Sequence, residues 1–114
     1  MNNNNHTWHF VASNSIQVNL SACKYVEDIH AVLKDSFGFP MDYGENWSAF
    51  WDYLDDFCGD RSSKTSIQVV GLDHLSKDLR SYADKMVEIM NRAKEKYPYI
   101  SAAACQIWTF SAGG

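Results

Sequence analysis

The sequence predicts a small α/β domain, a three-stranded parallel sheet packed with three to four helices. Three observations carry this expectation. Lys24 to Phe37 and Trp47 to about Cys58 repeat their apolar side chains at helical intervals. Thr65 to Gly71 reads as a buried strand rich in branched residues. Long helical stretches separate one strand candidate from the next, and such crossovers imply parallel pairing with right-handed connections.

Each element has its own signal. Thr7 to Ala12 is aromatic and weakly alternating, a first strand, and Ser13 to Ser15 is turn chemistry. Ile16, Val18 and Leu20 alternate and either extend a short hairpin or lead into the next element. Tyr25, Val26, Ile29, Val32, Leu33 and Phe37 form one helical stripe, which Gly38 and then Pro40 stop. Asn46 is a good cap for the helix from Trp47, and Gly59 to Ser63 is a loop. After the strand at Thr65 to Gly71, a helix runs from Asp73 to Lys96 with a possible break near Arg80. Pro98 ends it, and Ile100 to Phe110 makes the last strand.

The 114 residues fit one domain over 1–114, with flexible ends at 1–6 and 111–114. No apolar run approaches the roughly 18 residues of a spanning helix. The start, MNNNNHTW, carries no basic or apolar leader. Cys23, Cys58 and Cys105 are odd in number and widely spaced, which fits reduced thiols in a cytoplasm. The expectation is a cytoplasmic protein without a membrane partner.

Charge is the most informative feature. Net charge is −4, yet Pro40 to Asp60 holds Asp42, Glu45, Asp52, Asp55, Asp56 and Asp60 without one lysine or arginine. The rest of the chain has eight acids against ten bases. Phosphates would be repelled by this segment, so direct nucleic-acid binding is not expected, whereas a basic protein would be attracted. At about 100° per residue, Trp47, Phe50, Trp51, Leu54, Phe57 and Cys58 gather on one side of the helix and Ser48, Asp52, Asp55 and Asp56 on the other. Trp51 lies at the border. A merely solvated acidic face is the plain alternative. Against it, no basic neighbour four residues away relieves the repulsion, and Asp55 and Asp56 oppose the helix dipole.

Other chemistry has little support. His6 and His9 sit near the N-terminus, His30 and His74 stand apart in helices, and no cysteine pair has metal-ligand spacing. Neither a metal nor a cofactor is expected. Cys23 has Lys24 beside it but no partner base, and no nucleophile, phosphate-loop or dinucleotide motif occurs. Glu45 and Asp52 could act as a carboxylate pair, but so short a chain leaves little room for both a core and a cleft. No enzyme is expected.

The stretch from Pro40 through Tyr43-Gly44-Glu45-Asn46, Ala49, Trp51-Asp52 and Leu54 resembles the signature of the barstar family, intracellular protein inhibitors of secreted bacterial ribonucleases. Val26 to His30 also fits at its distance from the proline, while outside residues 25–57 the resemblance is one of layout. It implies that the helix and its preceding loop plug a nuclease active site. Asp52 matches the central aspartate that takes the place of a substrate phosphate, and Trp51 matches the interface tryptophan beside it. Asp42 falls where the family has an interface tyrosine, and Asp56 and Phe57 match contacts at the helix end. Two positions depart: Ser48 stands in place of an interface aspartate, and Arg92 in place of an interface glutamate. Asp42, Asp55 and Asp56 add charge.

The resemblance therefore implies an immunity or antitoxin protein for a basic ribonuclease toxin other than barnase. It would be monomeric alone and bind one to one through Asp42, Tyr43, Gly44, Glu45, Asn46, Ser48, Trp51, Asp52, Asp55, Asp56 and Phe57. The alternative is a barstar-like interaction module for a different basic partner, such as a regulator.

Overall fold

A computed structural model describes residues 9–61 and 64–98. Its two strands, β1 (Ser15–Asn19) and β2 (Ser66–Val70), pair in parallel, with Ile16 opposite Ile67 and Val18 opposite Val69. Alternation buries these four side chains and leaves Gln17 and Gln68 outside. A slip of one residue would turn the whole apolar set to solvent, so the register is specified by the pattern. Helices α1 (Val26–Phe37) and α2 (Trp47–Gly59) form the crossover between the strands. After β2 come a 3-10 turn at Leu72–His74 and α3 (Lys77–Lys96). The α/β class and the parallel pairing are thus as the sequence predicts. The third strand expected at Ile100 to Phe110 lies outside the described residues.

Two expectations need correction. His9 to Ala12, the described part of the expected first strand, is not in the sheet; the Ile16/Val18 alternation forms β1 instead. The Phe10 ring meets Phe57 edge-on at 5.4 Å, and the Val11 N–H donates to the Phe37 carbonyl at 3.0 Å. The apolar run covers the end of the core and joins no ladder. The break before the long helix also falls earlier than Arg80. Leu75 is extended, and Ser76 caps α3 by accepting from the Leu79 N–H at 3.2 Å. A serine able to satisfy an orphan amide decides that boundary.

Aromatic packing fixes α2 in place. Phe37, Phe50 and Phe57 are fully buried, with Phe57 edge-on to Phe37 at 4.9 Å and Phe39 stacked on Phe37 at 5.4 Å. Burying one such ring is worth roughly 1.5–3 kcal/mol. Gly38 ends α1 at φ +76, its N–H donating to the Lys34 carbonyl at 2.9 Å. A Cβ there would lie 2.7 Å from the Val11 nitrogen, so both the turn and the close approach require glycine.

Arg61 fastens the N-terminal segment to α2. Its Nη1 donates to the Ser13 carbonyl at 2.8 Å and its Nη2 to the Val11 carbonyl, while the guanidinium sits 4.0 Å above the Phe57 ring. Arg61→Ala is expected to cost about 2 kcal/mol, from charge-assisted hydrogen bonds and the ring contact together. Urea denaturation at unchanged m-value measures this, and Arg61→Lys should recover only part of it because an ammonium lacks the planar fork. A loss below about 0.5 kcal/mol, the scatter of ordinary surface changes, would show that the clamp adds nothing.

Candidate functional site

The loop before α2 is built to be rigid. Asn46 caps the helix, its Oδ1 accepting from the Ala49 N–H at 2.8 Å and its Nδ2 donating to the Gly44 carbonyl at 3.1 Å. Glu45 sits at φ +52, a left-handed conformation that costs a residue with a side chain about 1–3 kcal/mol. The surroundings hold it there. Asn46 pins one flank, and Tyr43, buried at the other, shares a 2.7 Å hydrogen bond with His30 Nδ1. His30 Nε2 shares another of 2.7 Å with the Tyr82 hydroxyl. The histidine is fully buried, and burial lowers its pKa against a smaller upward pull from Glu45. A neutral imidazole donates from one nitrogen and accepts at the other, so both tyrosines are satisfied. One side chain of α1 therefore ties the loop to α3.

The candidate residues divide by exposure. Asp42, Gly44, Glu45, Asn46, Ser48, Asp52 and Asp56 are exposed, and Trp51 and Asp55 are half-buried. Tyr43 and Phe57 point into the core and brace the face from beneath. Asp42 accepts a 3.1 Å hydrogen bond from the Tyr53 hydroxyl, which joins the loop to α2. Ser48, Trp51 and Asp52 meet in a groove of about 270 Å³ between α2 and α3, closed by Trp47, Lys85, Ile89 and Arg92.

The acidic segment is less isolated than its sequence implies. Lys96 donates to Asp55 at 2.8 Å and the Tyr97 hydroxyl donates to it at 2.7 Å, and these two bonds hold its carboxyl below the usual range. No base four residues away on α2 relieves the acids, as the sequence predicts, yet Asp55 is offset from another helix. The offsetting charge comes from α3, 41 residues away. Asp52 and Asp56 differ, since among the described residues neither carboxylate has a hydrogen bond or an ion pair. Lys85, Ile89, Arg92 and Lys96 recur at helical spacing along α3, and the Arg92 guanidinium lies 4.9 Å from the Trp51 ring centre. Spacing alone gives that stripe, but not the helix it faces.

Arrangements suited to bond-making chemistry are sparse. Burial raises the pKa of the Cys23 thiol and pushes that of Cys58 up to about 12, so both are protonated at neutral pH. Among the described residues, no three His, Cys, Asp or Glu side chains converge as metal ligands, and no helix is long and apolar enough to cross a membrane. What the site offers is a rigid surface with unpaired charge beside an indole.

Comparison with known proteins places this geometry in context. The pattern of the family described as Barstar (barnase inhibitor) matches residues 13–110. A protein of Bacillus subtilis (strain 168) named "Putative ribonuclease inhibitor YrdF" is 31% identical over 71 residues, covering 62% of this chain and 75% of that protein.

Proposed function

Because the chain belongs to the barstar family, we propose that it inhibits a ribonuclease by lodging the start of α2 in the enzyme's basic active site. An enzyme that binds a polyanion must line its site with cations. A carboxylate on a rigid helix can occupy such a site as a phosphate would, without any reaction. The observation that carries this reading is Asp52, exposed on α2 beside Trp51 and with no cation in ion-pair reach among the described residues. On capture, Asp52 exchanges water for the enzyme's paired cations, and Trp51 keeps water from returning. The fixed loop through Glu45 and Asn46 lowers the ordering cost of association. Asp42, Ser48 and Asp56 border the contact, and Asp55 acts mainly within the chain, holding α2 to α3. The role is that of a cytoplasmic immunity protein, one chain per toxin, with no turnover of its own.

The test is inhibition. Titrated into a panel of secreted bacterial ribonucleases that includes barnase, the chain should stop RNA cleavage by at least one member with a one-to-one endpoint. Raising salt from about 0.05 to 0.5 M should slow association more than it speeds dissociation, because screening weakens long-range attraction first. Full RNA cleavage by every member at tenfold excess of the chain would overturn the reading. A purified complex with a basic regulator would favour the interaction-module alternative.

A further inference from the structure

Among the described residues, the groove between α2 and α3 carries an anion and a cation that form no ion pair with each other or with a third group. Three cations lie along this side of α3. Lys85 is engaged by Glu88 at 3.0 Å and Lys96 by Asp55 at 2.8 Å. Arg92, exposed and lining the same groove as Asp52, has no carboxylate in ion-pair reach among the described residues. Every aspartate and glutamate of the sequence is among those residues. Arg92 instead lies over the Trp51 ring, its guanidinium carbon 4.9 Å from the ring centre.

A guanidinium held over an indole face by cation–π attraction loses side-chain freedom while its hydrogen-bond donors stay available to a partner. An arginine so placed can receive a planar two-oxygen acceptor, with less side-chain freedom to lose on binding. Trp51 thus has two open charges of opposite sign beside it, Asp52 and Arg92.

Resting on the inhibitor reading above, we propose that Arg92 determines specificity in this site. The surface that fits the groove presents a cation to Asp52 and, beside it, a carboxylate to Arg92. A target with cations at both places is disfavoured, because like charges opposed across an interface cost affinity and slow encounter. A ribonuclease site that is uniformly basic would therefore be taken poorly, and one bordered by an aspartate or glutamate taken well.

Barnase serves as the probe, made catalytically inactive, with its surface lysines and arginines replaced by glutamate one at a time. Binding of each form is compared for the wild-type chain, Arg92→Ala and Arg92→Glu. The expected result is that R92E binds unmodified barnase at least tenfold tighter than wild type does, with R92A between them. At least one glutamate form should invert that order, gaining for wild type and losing for R92E. Arg92 is exposed, so circular dichroism should match across the three chains and thermal stability should differ by no more than the small contribution of one exposed cation–π contact. Equal behaviour of wild type and R92E toward every barnase form, whether all bind or none does, overturns the assignment of Arg92. The inhibitor reading is judged separately by the ribonuclease panel, so the two failures are distinguishable.

Discussion

Replacing Asp52 by alanine is expected to weaken ribonuclease binding by about 2–5 kcal/mol, from tens to thousands of fold, a range to which barstar complexes themselves contribute. Truncation would strand the enzyme's cations against an apolar surface, and the cost of leaving them unpaired makes up much of the loss. The isolated chain should move the other way. Asp52 sits on an exposed helix face with no ion-pair partner among the described residues, and alanine is the better helix former. Substitution also relieves the repulsion from Asp56 one turn on. Stability should therefore hold or rise by a few tenths of a kcal/mol. Calorimetric titration against an inhibited ribonuclease and a urea melt of the chain alone measure the two effects. Asp52→Asn, which keeps the shape and removes the charge, should lose most of the same affinity. If D52A bound as the wild type does, the anchor would lie elsewhere on the face.

This opposition between binding and folding runs through α2. The buried side, with Phe50, Leu54 and Phe57, follows the rules for a stable helix. The outer side breaks them, with no acid in the first turn and no base in the last. Such a helix stands because its aromatic side packs strongly enough to tolerate the other. Asp55 is the intermediate case, its unfavourable place near the helix end offset by Lys96 from α3.

The features legible in the sequence were those with a local cause. Branched composition gave β2, the apolar stripe with Asn46 gave α2, and Gly38 gave the end of α1. The misplaced first strand has a simple explanation. Phe10 and Val11 have strand-like composition, but composition does not distinguish a strand from a segment covering the core's edge. The stricter alternation of Ile16 and Val18 was the better signal. The site was legible as a stretch of residues and incomplete as a surface. Asp52 and Trp51 follow from helix geometry, whereas Arg92 and Lys96 reach them only because α3 packs alongside α2. A side-chain rule that counts four residues along one helix cannot see charge supplied across two. His30 is a further instance: in sequence it is a lone histidine on a helix, and its partners lie 13 and 52 residues away.

That histidine gives the second large effect. His30→Ala is expected to cost about 3 kcal/mol, combining a cavity with two tyrosine hydroxyls that lose their partner. His30→Gln should cost less, because an amide can still reach one of them. The pH dependence identifies the cause. Burial lowers the folded-state pKa of His30 from its ordinary 6.5, so between the two values the unfolded chain binds a proton that the folded chain does not. The stabilisation from neutral His30 is complete above about pH 6.5 and is lost as pH falls toward the folded value, by up to about 1.4 kcal/mol per unit. The groups facing the ring are Tyr43 from the loop, Tyr82 from α3 and Trp47 from α2, with Glu45 the nearby acid that partly opposes the shift. Neither tyrosine titrates in this window, since burial raises the pKa of both. Asp55, whose pKa is lowered, keeps its full contribution across this window and loses it only as pH falls below the ordinary carboxylate range. The stability gap between wild type and H30Q, measured by denaturation from pH 7.5 to 5, should therefore narrow as pH falls. A gap constant across that range would mean that His30 acts by shape alone. Ribonuclease affinity should fall in His30→Ala although His30 is buried, because Tyr43 would lose the hydrogen bond that helps hold the loop before the helix.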